Sequence, residues 1–116
     1  KTMLGFELRH VGINCADEAE AERTARSFCA LLGLEYRPGN SSIFAGTAVE
    51  CMKTPFLGAR GHLAVGTNSV DRAVYHLELQ GAAFDESTRK TDAKGAAKSI
   101  YLKDEIGGFA VHLVQK

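Results

Sequence analysis

Three histidines and one glutamate of this 116-residue chain stand inside short apolar runs, each with a glycine or alanine two positions away. They are His10 in Arg9-His10-Val11-Gly12-Ile13-Asn14, Glu50 in Ala48-Val49-Glu50-Cys51-Met52, His62 in Gly61-His62-Leu63-Ala64-Val65-Gly66 and His112 in Gly108-Phe109-Ala110-Val111-His112-Leu113-Val114. Side chains alternate along a strand, so His10 shares a face with Gly12, Glu50 with Ala48, His62 with Ala64 and His112 with Ala110. Small neighbours leave a hollow above each polar group, while Val11, Ile13, Val49, Cys51, Leu63, Val65, Val111 and Leu113 point the other way. A single strand histidine is more often a hydrogen-bonded core residue than a ligand. A lone buried glutamate is costly unless paired or bound to metal. Taken together, His10, Glu50, His62 and His112 form a three-nitrogen, one-oxygen donor set for a divalent transition metal: zinc, nickel, cobalt, manganese or iron. Glu50, the one carboxylate of the set, is the candidate for a ligand that loosens and moves a proton. Asn14, Ser41, Ser42 and Tyr101 are candidate substrate contacts, each with turn or strand hydrogen bonding as the competing reading.

The elements that must carry these residues are legible when the second half is laid over the first. Each half opens with a histidine-bearing strand and continues into a helix. The first helix is expected from Asp17 to Leu32, with Ala21, Ala25, Phe28, Cys29 and Leu32 on one stripe and Gly33 as its stop. The second is expected over about Val70 to Gln80, with Ala73, Val74, Leu77 and Leu79 as its apolar positions, Asn68 or Ser69 as its cap and Gly81 beyond it. His76 lies in this helix without a counterpart in the first half and is expected on the surface or in packing. Ser42-Ile43-Phe44 and Ser99-Ile100-Tyr101 then match, followed by the Ala-Val-Glu and Ala-Val-His strands. The expected fold is α+β: two paired βαβββ modules, about 6–53 and 60–115, within one domain. Asp85 to Lys98, rich in Lys, Asp, Thr and Gly, reads as a solvated hairpin or mobile loop. Lys53 reads as solvated, on the face away from the donors.

Composition narrows the partners. Hydrophobic residues make up 45%, charged residues 24%, and the formal net charge is zero, as in an ordinary soluble domain. No basic run marks a nucleic-acid or anionic-membrane surface, and the apolar stretches fall short of the ~20 residues of a membrane helix. No secretory leader is expected. Cys15, Cys29 and Cys51 are odd in number and lack a CxxC spacing, so a reducing cytoplasm is the simpler setting.

His10, Glu50, His62 and His112 in paired βαβββ modules resemble the vicinal oxygen chelate superfamily, which includes glyoxalase I, extradiol dioxygenases and methylmalonyl-CoA epimerase. The resemblance runs from about Phe6 to Gln115 and implies a cleft between curved sheets, with metal ligands on the first and last strands of each module. It departs at His112: family members commonly place a glutamate there after an Asp-Pro-x-Gly turn, where this chain has Asp104-Glu105-Ile106-Gly107-Gly108. Glyoxalase I chemistry in its two-glutamate form is therefore not implied. The stretches HVGIN, GNSSIFAG, GHLAVGTN and KDEIGGFAVHLVQK also resemble a glyoxalase-like domain appended to some bacterial 2-dehydro-3-deoxyphosphogluconate/4-hydroxy-2-oxoglutarate aldolases. That resemblance implies a piece of a longer aldolase polypeptide, which a start at Lys1 without methionine fits.

The function expected from this set is that of a metal-dependent lyase or isomerase acting on a small oxygenated or 2-oxo metabolite through a metal-stabilised enolate. A non-haem iron dioxygenase ranks second, because a third histidine reduces the positions open to oxygen. A metabolite-binding accessory module is the non-enzymatic alternative. The connector Thr54 to Gly58 also permits a homodimer in which modules exchange between chains.

Overall fold

In the computed structural model, which describes residues 4–116, each half runs strand, helix and three strands. The first half comprises β1 (Glu7–Asn14), α1 (Glu18–Leu32), β2 (Tyr36–Pro38), β3 (Ser42–Ala45) and β4 (Val49–Met52). The second comprises β5 (Gly61–Thr67), α2 (Val70–Leu79), β6 (Phe84–Thr91), β7 (Ala97–Leu102) and β8 (Phe109–Gln115). All eight strands join one sheet in the order β2-β3-β4-β1-β5-β8-β7-β6, so the α+β arrangement of two βαβββ modules is the observed one.

The helices begin and end where their caps dictate. Asp17 accepts a hydrogen bond from the Glu20 amide at 2.9 Å and starts α1, and Gly33, at φ 68°, closes it in a left-handed turn. Ser69, rather than Asn68, caps α2, accepting from the Arg72 amide at 3.2 Å. Each helix packs its small or branched residues on one face of the sheet. Ala21 and Ala25 of α1 lie over Cys15, Ile43 and Cys51 in one core cluster. Val70, Ala73 and Val74 of α2 lie over Leu4, Phe84, Ala97, Ile100 and Leu113 in another. With alternation enforced, every residue beside these on the same strands faces the opposite side, which no helix covers.

Two details of the sequence reading are corrected. Leu32 and Leu79, placed on the buried stripes, are 64% and 69% exposed, because they end their helices past the turns that lie on the sheet. Lys53 is not free in solvent: its ammonium pairs with Glu18 of α1 at 3.4 Å and is largely covered. The polar stretch 85–98 is the hairpin of the two sequence alternatives, formed by β6 and β7, with its tip held by Asp92 accepting from the amides of Lys94 and Ala96. The ladder is irregular, however. Asp85 pairs with Tyr101 and Lys90 with Ser99, so residues 86–89 of β6 bulge opposite Ile100 alone.

Candidate functional site

The open face of the sheet is built on the seam between the two halves. β1 and β5 run antiparallel, with Val11 opposite its repeat equivalent Leu63, Gly12 opposite His62 and His10 opposite Ala64. β4 lies parallel to β1 with Glu50 beside Gly12, and β8 lies parallel to β5 with His112 beside Ala64. Each half thus contributes two of the four donors, from its first and last strands. Laterally, Gly12 separates His62 from Glu50, and Ala64 separates His10 from His112. This checkerboard is what the Gly and Ala neighbours in the sequence were preparing, extended across strands. Gly12 is required here for space, since a Cβ on it would fall inside the His62 imidazole.

The donor atoms converge. His10 Nε2 and His62 Nε2 are 3.3 Å apart, and each stands close to the same oxygen, Glu50 Oε1, at 3.2 and 3.1 Å. His112 closes the fourth side, with ligand atoms of His10, His62 and His112 all within 4.8 Å of one another. Ser42, 7% exposed, donates its hydroxyl to Glu50 Oε2 at 2.7 Å and so turns Oε1 toward the histidines.

Protons alone do not satisfy this triangle. A neutral imidazole carries one N–H. If both Nε2 atoms donate to Glu50, two N–H groups face each other across 3.3 Å. If one Nε2 donates to the other, the acceptor's lone pair is used and its contact with Glu50 lacks a hydrogen. The buried Nδ1 of His62 and Nε2 of His112 have no hydrogen-bond partner either, a costly condition for ring nitrogens. A single cation held by His10 Nε2, His62 Nε2 and Glu50 Oε1 resolves the triangle and offers a partner to the orphaned Nε2 of His112, while Nδ1 of His62 lies on the other side of its ring and takes no part. Separations of about 3.0–3.4 Å are those of neighbouring donors on an ion with ~2.1 Å bonds. The residues present therefore fit a divalent transition metal.

Electrostatics point the same way. Burial works to raise the Glu50 pKa, but hydrogen bonds from His10, His62 and Ser42 outweigh it and hold the carboxyl well below its usual range, so it is an anion. Burial, reinforced by His62 and His10, depresses His112 to about 4, so it is neutral, with a lone pair to offer. Burial and then Glu50 push the Tyr101 phenol up to about 12, keeping it a hydrogen-bond donor. Tyr101 lies flat on His112, with ring centroids 4.4 Å apart and planes 8° from parallel, which fixes the imidazole's direction.

Above the donors opens a cavity of about 410 Å³, walled by Ser41, Met52, Thr54, Phe56, Lys90 and Tyr101. The four candidate contacts divide. Ser41 and Tyr101 line this space. Ser42 is occupied with Glu50, and Asn14 clamps the connector, donating to the carbonyls of Phe56 and Gly58 and accepting from the Phe56 amide. Phe56 and Lys90 were not singled out by sequence. Phe56 sits in a connector of no regular pattern, and Lys90 in a segment whose composition reads as surface. His76 is exposed on α2, away from the site. A second hollow of about 440 Å³, on the outer side of α1 against Phe28, Leu31 and Leu32, contains no titratable group.

No family model and no curated protein matches the sequence. Solved structures do match the fold. A hypothetical protein from Bacillus halodurans C-125 superposes with TM-score 0.65 at 15% identity, over 96% of this chain and 94% of its own. Methylmalonyl-CoA epimerase of Streptomyces coelicolor, a variant in complex with 2-nitronate-propionyl-CoA, gives 0.63 at 19% identity over 95% and 94%. Methylmalonyl-CoA epimerase from Mycobacterium tuberculosis gives 0.62 at 19% identity over 97% and 89%. The chain is similar to these proteins in having the glyoxalase-like fold.

Proposed function

We infer that this glyoxalase-like chain is a divalent-metal-dependent enzyme that moves a proton next to a carbonyl of a small oxygenated or 2-oxo metabolite, as a lyase or isomerase does. The observation that carries the inference is the His10, His62 and Glu50 triangle, whose contacts of 3.1–3.3 Å no set of protons satisfies, with the orphaned Nε2 of His112 beside it. His10, Glu50, His62 and His112 would hold the ion. Bound there, it would supply Lewis acidity toward two neighbouring oxygens of the substrate.

The chain's own residues divide the remaining work. His112 presents a neutral nitrogen and is held in line by the Tyr101 ring. Ser42 fixes Oε2 of Glu50, so that rotation about this hydrogen bond is the motion left to the carboxylate. While its Oε1 is shared with two histidines Glu50 is a poor base; released from them, it recovers the basicity needed to take a proton from carbon and return it. The Tyr101 hydroxyl, a donor at neutral pH, is positioned in the cavity wall to bond an oxygen that gains charge. Phe56 and Met52 keep that wall apolar, which strengthens these interactions by excluding water.

The test has two readouts. Metal content of protein purified without chelator should be near-stoichiometric, and should be lost in the His62→Ala, His112→Ala double variant. Loaded protein in D2O should then exchange the α-hydrogens of a panel of 2-oxo acids, followed by proton NMR, and Glu50→Gln should not. A protein that takes no metal sinks the site. Metal with saturable ligand binding but no exchange or turnover would make the chain a binding module, and oxygen uptake by an iron-loaded form would make it a dioxygenase.

A further inference from the structure

The bulge in β6 has a second effect beside the donor cavity. Between the pairs Asp85–Tyr101 and Lys90–Ser99, the four residues 86–89 leave the ladder and fold outward. They are held there by a dense local network. Asp85 accepts from the amide and hydroxyl of Ser87, and its carbonyl accepts from the Thr88 hydroxyl at 2.7 Å. Thr88 Oγ1 in turn accepts from the Tyr101 amide at 2.9 Å, taking the place of the missing strand partner. Arg89 is drawn away to Glu86 and to Asp71 of α2. The outcome is a cavity of about 430 Å³ between the bulge and the connector residues Phe56 and Leu57. It adjoins the donor cavity, because Phe56, Lys90, Tyr101 and His112 line both.

The charges of this combined space are lopsided. In a chain with equal numbers of acidic and basic residues, Glu50 is its one carboxylate, and Glu50 belongs to the donor cluster. Arg89 is neutralised by two acids, and Ser87 and Thr88 have spent their hydroxyls. Lys90 is different. No carboxylate among the described residues lies within ion-pair distance of its ammonium, and the hydroxyl of Ser99, its direct cross-strand neighbour, has no partner there either. Ser99 stands two residues from Tyr101 on the same strand face, so both line the hollow with Lys90 one row beyond the donors. Phe56 and the Tyr101 ring, in edge-to-face contact with centroids 6.3 Å apart, form one apolar wall that runs between the two ends.

We propose that the cavity walled by the β6 bulge is an anion subsite, in which Lys90 and Ser99 hold a carboxylate or phosphate at the far end of a substrate whose two oxygens face His10, Glu50, His62 and His112. The substrate is then a small metabolite with charge at both ends and a short carbon skeleton lying along the apolar wall that Phe56 and Tyr101 form. This rests on the metal-centre reading above and narrows its substrate class.

The experiment uses carboxylates, since one carboxylate ligates any divalent ion whatever the true substrate is. Metal-loaded protein is titrated by calorimetry with dicarboxylates from malonate to adipate, with ω-phosphono monocarboxylates of the same lengths, and with the matching monocarboxylates. At one chain length or more the dianion should bind about tenfold tighter than its monoanion, the gain expected of a charge-assisted contact at a half-open site. Lys90→Ala should abolish that gain and leave the monoanion unchanged; which of carboxylate and phosphonate gains more identifies the natural anion. Equal binding of dianions and monoanions at every length, with metal retained, overturns the subsite and leaves the metal centre standing. An equal loss for monoanions in Lys90→Ala also overturns it, because Lys90 would then act on the metal end. Failure of all three series to bind the metal-loaded protein overturns the subsite, and failure of the protein to load metal overturns the metal centre and the subsite together.

Discussion

At the scale of single residues, the site is made by small side chains as much as by the donors. Gly12→Ala puts a methyl group into the volume of the His62 ring, and the backbone there is a paired strand on both sides with little room to shift. The expected outcome is a loss of stability of about 1–3 kcal/mol together with loss of metal, read by thermal melts and elemental analysis on the same sample. Retained metal with an unchanged melt would show that the imidazole moves aside freely. His112 carries a pH prediction. Its folded pKa of about 4 lies below the ordinary value near 6.5, so between those limits the unfolded chain takes a proton that the folded chain refuses. Stability of the metal-free protein should therefore fall as pH drops through that window. Glu50, shifted downward, adds a further loss only below its ordinary pKa, near 4.5. Melts from pH 7 to 5 should show the first slope in the native chain and a flatter one in His112→Gln; equal slopes would assign the titration elsewhere.

At the scale of elements, capping and site are separable. Asp17→Ala removes the cap of α1 and should cost about 1 kcal/mol, lowering the melting temperature without changing metal content, since α1 lies on the face opposite the donors. Thr88→Val should do more to the site than to the helix layer. It leaves the half-buried Tyr101 amide without an acceptor, costing about 1–2 kcal/mol, and loosens the ring that braces His112, visible as broadening of the Tyr101 ring signals in NMR. The sequence was informative where alternation was strict. His10, Glu50, His62 and His112 and their faces could be read because each stands among apolar letters on a strand buried on one side. The bulge could not, because residues 85–98 are polar on both faces and give no period to break. Leu32 and Leu79 misled for a related reason: an apolar letter at helical spacing does not reveal whether the sheet extends beneath it. Lys53 is covered through an ion pair with a residue far away in sequence, which no local pattern encodes.

At the scale of the whole molecule, the metal and the fold should stabilise each other. An ion that binds the folded chain alone adds about 2.7 kcal/mol at a concentration of one hundred times its dissociation constant. Chelator should lower the melting temperature accordingly, and addition of the ion should restore it; a melt insensitive to both would mean that no site of useful affinity forms. No helix among the described residues is long and apolar enough to cross a membrane, in keeping with a core divided into two clusters, each between one helix and the same face of the sheet. The equal division of donors along the β1–β5 seam has a consequence for how the chain can be taken apart. Neither half would own the proposed metal site, only two prongs of it, so a chain cut within the connector between Thr54 and Gly58 should behave as a two-key lock. Each fragment alone would ignore the ion, and the ion would draw the matched pair back together.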